Sequence, residues 1–401
     1  MSKFSFNVGA SSLKEVVKYL SKSVGRESSH VSSHFVFKKK KGSTCLEVSS
    51  FNGNFFCCSD LNDPVFDPAH EFKFSFDAKR FSDAVSLLKD SEVVSIMFDD
   101  ISIDHPKITM KTGTGRIKFQ SMNAGEAPDW RDLNTSEEFV QVEASKIKSA
   151  FSFCSNFCKN LPQNPSISII ECHDGIVVAT DGSTIAQVRS ESFKGISIKT
   201  HINNHGLLRN ALSFVKDGEK LSIYELTDRI TFYKPETSNS KYLSNLLFGE
   251  TKVSYSIPER STKWDDVCDG YLMVLKEDML TALNFINCGA SAKTTSVQFV
   301  TLSTKENKLV FEMASSVDEE PAVGEVALLP NENLERDAIP VAVLDPCYFS
   351  FGDLVNVLKT LKSENIVIYL YLSSKNVAFC FRDDSSDLKY QVSVGGFLHK
   401  V

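Results

Sequence analysis

Ala84 to Ile96 reads AVSLLKDSEVVSI and Ala211 to Ile223 reads ALSFVKDGEKLSI; the two agree at seven of thirteen positions without a gap. Asn356 to Ile368, NVLKTLKSENIVI, keeps the same succession: a helix end, a polar turn holding a glutamate (Glu92, Glu219, Glu364), then the alternating apolar run of a strand. The segments begin 127 and 145 residues apart, the spacing of whole domains rather than of a short solenoid repeat.

Working outward, each segment has the same neighbours. Upstream lie Leu13, Val16, Val17 and Tyr19 in the first copy, Ile147, Ala150, Phe151 and Phe153 in the second, and Met279, Ala282, Leu283 and Phe285 in the third. Intervals of three and four put each set on one helix face. Between that helix and the quoted segment come two strands with a tight turn at Lys41-Gly42, Asp174-Gly175 and Glu306-Asn307, flanked by alternating apolar runs. Each copy therefore reads helix, strands, helix, strands. The first two copies close on similar punctuation, Ala127-Pro128-Asp129-Trp130 and Ile257-Pro258 followed by Trp264, with polar linkers at 131–138 and 259–269. The expected architecture is α+β, with three tandem domains at residues 1–136, 137–268 and 269–401. Each should pack two helices on antiparallel sheet.

Length and composition agree with that division. A chain of 401 residues exceeds one ordinary core, and 42% hydrophobic with 24% charged residues is a globular balance. No apolar run approaches the roughly 20 residues that span a bilayer, so no membrane association is expected. Met1 to Gly9 has no basic region followed by an apolar one, which predicts a cytoplasmic protein. The ten cysteines are scattered without a CxxC pair and read as reduced core residues. Cys154, Cys158, Cys172 and His173 form the one conceivable metal-binding set. Nothing suggests catalysis: the chain lacks a GxxxxGK(S/T) loop, a Rossmann glycine fingerprint, HExxH and GxSxG. His201 and His205 sit four apart without the acidic context a metal site needs, and read as surface residues.

The net charge is −7, so any nucleic-acid contact must use local positive charge. Lys14, Lys18 and Lys22 recur at i+4 opposite an apolar stripe, making a basic ridge. Over the six expected helical segments (11–26, 77–89, 143–159, 203–216, 276–293, 350–362) the charge is +9, leaving −16 on the rest of the chain. If those helices line one surface, it attracts phosphates without reading sequence, and the attraction weakens with salt.

Val177 to Ala186, VVATDGSTIA, then identifies a resemblance: it is similar to the V-A-T-D-G-H-R-L-A motif in the second domain of bacterial β sliding clamps, the processivity subunits of replicative DNA polymerases. Gly115-Arg116-Ile117-Lys118-Phe119 leading to Pro128, and Val357 to Ile368, extend the likeness, which runs the full length in order. The resemblance implies a non-enzymatic homodimer, a ring closed head to tail around double-stranded DNA. That ring would bind the replicative DNA polymerase and a clamp loader and need no cofactor of its own.

By the same resemblance, the partner-peptide pocket involves Thr180, Gly182, Ser183, Thr184, Ile185, Pro258, Val392, Ser393 and Val394. The dimer seam involves Arg116, Ile117 and Phe119 of one copy and Phe285 and Ile286 near Cys288 of the other. Arg26 resembles a DNA-contacting arginine of the family. Charge alone adds Lys14, Lys18, Lys22, Lys159, Arg209, Lys359 and Lys362. This chain departs from the pattern at Ser183-Thr184, which replace the usual His-Arg, and at Val394-Gly395-Gly396-Phe397, which replaces a methionine-rich terminus. The alternative reading is a clamp-fold DNA-associated regulatory or scaffold protein that does not close a ring.

Overall fold

The computed structural model describes residues 4–25, 31–52, 55–61, 71–98, 106–122, 124–127, 139–161, 163–213, 215–225, 229–234, 242–247, 268–289, 298–313, 320–330, 344–372, 376–383 and 387–398. Three stretches of chain repeat one order of elements. The first comprises β1 (Phe4–Gly9), α1 (Ala10–Leu20), β2 (His34–Lys39), β3 (Leu46–Phe51), β4 (Phe55–Leu61), β5 (Phe72–Asp77), α2 (Ala78–Ser86), β6 (Val93–Phe98), β7 (Lys107–Lys111) and β8 (Arg116–Gln120). The second comprises β9 (Val140–Glu143), α3 (Ala144–Ser155), β10 (Ile169–His173), β11 (Ile176–Thr180), β12 (Thr184–Arg189), β13 (Ile198–His201), α4 (His205–Leu212), β14 (Lys220–Glu225), β15 (Arg229–Lys234) and β16 (Tyr242–Leu247). The third comprises β17 (Gly270–Leu275), α5 (Lys276–Gly289), β18 (Phe299–Lys305), β19 (Lys308–Met313), β20 (Ala322–Ala327), β21 (Cys347–Ser350), α6 (Phe351–Thr360), β22 (Asn365–Leu372), β23 (Asn376–Asp383) and β24 (Lys389–Leu398). Each copy is itself a doubled unit of strand, helix and three strands.

The quoted segments explain why the copies fold alike. In each, the first strand pairs antiparallel with the strand that ends the segment: β1 with β6, β9 with β14 and β17 with β22. The glutamate of each polar turn closes the unit. The backbone carbonyls of Glu92, Glu219 and Glu364 accept the first helical N–H of Ala10, Ala144 and Lys276 at 2.9, 2.9 and 2.8 Å. Each bond satisfies one of the orphan donors at a helix start. The hairpin reading holds as well. Asp174 and Gly175 (φ 46° and 84°) and Glu306 and Asn307 (φ 49° and 61°) adopt the left-handed geometry of two-residue turns between β10 and β11 and between β18 and β19.

By packing, the chain divides into two compact units, residues 1–148 with 204–251, and residues 149–203 with 252–401. The first holds a four-stranded sheet in the order β1-β6-β7-β8 and an eight-stranded sheet in the order β5-β2-β3-β4-β16-β15-β14-β9. Its core is rich in phenylalanine: Phe76 stacks on Phe81 at 4.3 Å, and Phe74 meets Phe98 edge-on at 4.6 Å. Helix α1 buries Leu13, Val16, Val17 and Leu20 and packs on α2 and β4. The second unit holds one sheet of twelve strands, ordered β13-β10-β11-β12-β24-β21-β18-β19-β20, with β23, β22 and β17 continuing from β24. Helix α5 packs on β20 and α6, and Phe349 and Phe379 meet at 4.2 Å in the core.

Candidate partner-binding cleft and basic helix face

The turn between β11 and β12 is built around one carboxylate. Asp181 Oδ1 accepts the backbone N–H groups of Ser183 (3.0 Å) and Thr184 (2.8 Å) and both their hydroxyls (3.0 and 2.8 Å). Its Oδ2 lies 3.0 Å from Lys159 Nζ. The Thr180 hydroxyl donates to the Thr184 carbonyl at 2.7 Å and accepts the Gly182 N–H at 3.1 Å. Gly182 sits at φ 94°, a conformation that costs a residue with a Cβ far more than glycine. From this turn β12 pairs antiparallel with β24, setting Thr184 opposite Val394, Ile185 opposite Ser393 and Ala186 opposite Val392. Segments about 200 residues apart in sequence, both expected in the pocket, are thus neighbours in one sheet. Thr184, Val392 and Val394 point into the core and hold the strands, while Ile185 and Ser393 are half-buried. Pro258 lies outside the described residues.

Beside the turn opens a cleft of about 910 Å³ lined by Asp181, Gly182, Ser183, Lys159 and a set of residues the sequence did not single out for binding, among them Phe299, Tyr348, Asp353, Tyr371, Leu372 and Phe397. Phe299, Leu372 and Phe397 are 50%, 47% and 60% exposed, unusual for side chains of that size. Tyr371 is fixed from behind: its hydroxyl accepts from Arg382 Nη2 at 2.9 Å, and that guanidinium lies 4.2 Å from the ring centre of Tyr369. A capping-box pattern, Ser350 to Asp353, could have marked one wall, since the Ser350 hydroxyl accepts the Asp353 N–H at the start of α6. The exposed aromatics carry no such signal.

The cysteines near this site keep their protons. Cys154 donates to the Val177 carbonyl and Cys158 to the Ile169 carbonyl. Burial, with a smaller contribution from Asp181, pushes the Cys158 thiol up to about 12. Such thiols are poor metal ligands, and among the described residues no three His, Cys, Asp or Glu side chains are grouped to hold an ion.

The residues chosen as DNA contacts separate into distinct roles. Lys18 is exposed on α1. Lys22, in the 3-10 turn Ser21–Ser23, donates to the Ser213 hydroxyl just past α4, and burial followed by the Lys18 charge lowers its pKa. Arg209 is exposed on α4, Lys359 on α6, and Lys362 just beyond it, 5.8 Å from the ring centre of Tyr390. Lys14 instead pairs with Asp90 at 2.7 Å. The equivalent pair in the second copy, Lys148 with Asp217 at 3.1 Å, makes this a repeated clasp between first helix and polar turn. Lys159 is a correction: α3 ends at Ser155, so Lys159 belongs to the cleft wall and not to a helix face. Arg26 lies outside the described residues.

At the expected seam, Arg116 and Ile117 are exposed on β8 and Phe285 is 69% exposed on α5. Phe119 and Ile286 are not presented to a partner. Phe119 is buried with its ring 4.9 Å from that of Phe76 and the Arg80 guanidinium 5.5 Å from its centre. Ile286 is buried against β20, where even a methyl on Gly324 would come within 3.1 Å of it.

No protein-family model and no curated protein matches the sequence. Solved structures do. The DNA polymerase sliding clamp from Bacillus subtilis matches with a TM-score of 0.72 at 13% identity, covering all of both chains. The DNA polymerase III subunit beta from Pseudomonas aeruginosa matches at 0.72 and 14%, covering 98% of this chain and 99% of that one. The beta sliding clamp of C. crescentus matches at 0.71 and 14%, again over both full lengths. The fold is therefore that of the bacterial β sliding clamps, in a divergent sequence. Among the described residues no helix is long and apolar enough to cross a membrane.

Proposed function

We propose that this chain is a DNA sliding clamp: a non-catalytic ring of two head-to-tail copies that encircles duplex DNA and tethers a replicative polymerase. A rule of strand pairing carries the reading. The strand ending the first half of copy one, β4, pairs antiparallel with the strand ending the second half of copy two, β16; in the same way β12 of copy two pairs with β24 of copy three. One step further, β20 calls for a strand equivalent to β8. Among the described residues both β20 and β8 are edge strands of their sheets. Pairing β20 of one chain with β8 of another would remove both edges and make a heterologous joint, the kind that closes rings. Ile117 and Phe285, both exposed, give that joint apolar contact, and exposed Arg116 and Lys118 on β8 would share Glu325 of β20 with Lys308, which holds it at 2.6 Å.

In this reading the three copies are domains of residues 1–136, 137–268 and 269–401, and Lys18, Lys22, Arg209, Lys359 and Lys362 attract phosphates without reading bases. Enclosure then holds DNA without a tight grip, because release requires an opened ring or a free DNA end. The turn at Thr180–Ile185 with β24 would receive a peptide of the polymerase or of a loader, and the loader rather than the clamp would consume ATP. The working compartment is the cytoplasm.

The test uses topology. The protein is incubated with linear DNA, so that a ring can thread over the ends. The DNA is then ligated into circles, washed in high salt, and reopened by a single-site nuclease. Retention on circles and release on reopening are expected. Equal loss before and after reopening would overturn enclosure and favour the clamp-fold scaffold without a ring.

A further inference from the structure

We infer that the cleft beside Asp181 takes a short peptide that combines an apolar anchor with a neighbouring arginine or lysine. The inference rests on reading this chain as a polymerase tether and specifies what the tether recognises. Its apolar side is built: Phe299, Leu372 and Phe397, each about half exposed, converge there with Tyr348 and Tyr371. An incoming large side chain would cover surface that is otherwise left in water, which is where docking energy concentrates.

The floor is bare backbone. Gly396 has no room for a side chain, because a Cβ would lie 2.6 Å from the Tyr348 carbonyl and 2.7 Å from the Phe349 ring. Gly395 is different: it is exposed, and its Cβ would meet only the Ser183 carbonyl, at an ordinary 3.7 Å. A side chain at Gly395 would therefore enter the cleft rather than the core.

The charge of the lining selects the second feature. Lys159 and Asp181 neutralise each other, and Asp181 is further saturated by Ser183 and Thr184. Asp353 remains, with no ion pair among the described residues, so the lining carries one uncompensated negative charge. A guanidinium or ammonium would meet that carboxylate and the faces of the surrounding aromatic rings at once. A carboxylate in the same place would be repelled.

The probes are three fluorescein-labelled alanine-based heptapeptides with a central Leu-Phe pair, identical except for an adjacent Arg, Gln or Glu, titrated into the full chain by fluorescence polarisation at low salt. The Arg peptide is expected to bind tightest, on the order of fivefold better than the Gln peptide, with the Glu peptide weakest. In D353N the Arg preference should collapse while the Gln peptide binds as before. G395L should abolish binding of all three while leaving the melting temperature in place. The inference is overturned if none of the peptides binds, if the Glu peptide binds as well as the Arg peptide, or if D353N leaves the preference intact. Retention on circular DNA is read separately, so a failed peptide preference with intact retention sinks this inference alone, and lost retention sinks the ring.

Discussion

Asp181 keeps a negative charge although its side chain is only 7% exposed. Burial alone would raise its pKa; hydrogen bonds from the Thr184 hydroxyl and amide, the Lys159 ammonium and the Ser183 amide outweigh that and hold the carboxyl below its ordinary range. A depressed carboxyl stabilises the fold fully above the unfolded-state pKa and loses that contribution as pH falls through the folded one. D181N should therefore lower stability at pH 7 by about 1–3 kcal/mol, read as a drop in the urea midpoint. The gap to the parent chain should narrow as the pH is taken down through the carboxylate range; a gap that stays constant with pH would mean the charge is not what holds the turn. At this scale much of the site was legible. The run from Thr180 to Thr184 announces a tight turn, because Asp, Gly and Ser each supply a turn-forming bond or a left-handed φ. The cleft's other wall was not, because Phe299 and Phe397 look like any inward phenylalanine until tertiary packing leaves them uncovered.

The edges β8 and β20 show where periodicity stops informing. Ile117 and Phe119 share one face of β8, yet the first is 40% exposed and the second 4%. Alternation gives them the same direction; only the cover supplied by Phe76, Phe81 and Arg80 separates them. On α5, Ile286 follows buried Ala282 and Leu283 by four and three residues and shares their face, while Phe285 lies outside it. Ile117 and Phe285 are thus the apolar pair left for a partner chain. Replacing Ile117 with glutamate should shift the protein from dimer to monomer in sedimentation equilibrium at micromolar concentration, because it sets a carboxylate against the apolar ring of Phe285 in the joint. Since Ile117 is already open to water, the melting temperature of the monomer should change little. A dimer that survives I117E would place the joint elsewhere. The six helices, by contrast, were expected with starts within about two residues and ends overrun by two to six, because amphipathic periodicity marks a helix face better than the point where the chain leaves it.

For the whole molecule, the division of charge into +9 on the helical segments and −16 elsewhere overstates what is free to meet a phosphate. Lys14 and Lys148 are held by Asp90 and Asp217, and Lys159 by Asp181, so these cations already have local partners. Sequence could not distinguish them from Lys18, because the acidic partners lie 76, 69 and 22 residues away and meet them only after folding. What remains on α1 and the turn after it is Lys18, fully displayed, and Lys22, drawn toward the end of α4, which also displays Arg209. Counterion release assigns each lost phosphate contact a change of roughly 0.9 in the slope of log binding constant against log salt. K18Q should therefore flatten that slope by about 0.9 on duplex DNA of any sequence, and K18Q with R209Q by about twice as much. K14Q should change it less, since Lys14 is already held by Asp90 and has no phosphate contact to lose. These slopes are measured by titrating one duplex between low and physiological salt. If K14Q flattens the slope more than K18Q, the ion pair with Asp90 does not hold in solution, and the basic ridge must be redrawn with Lys14 at its centre.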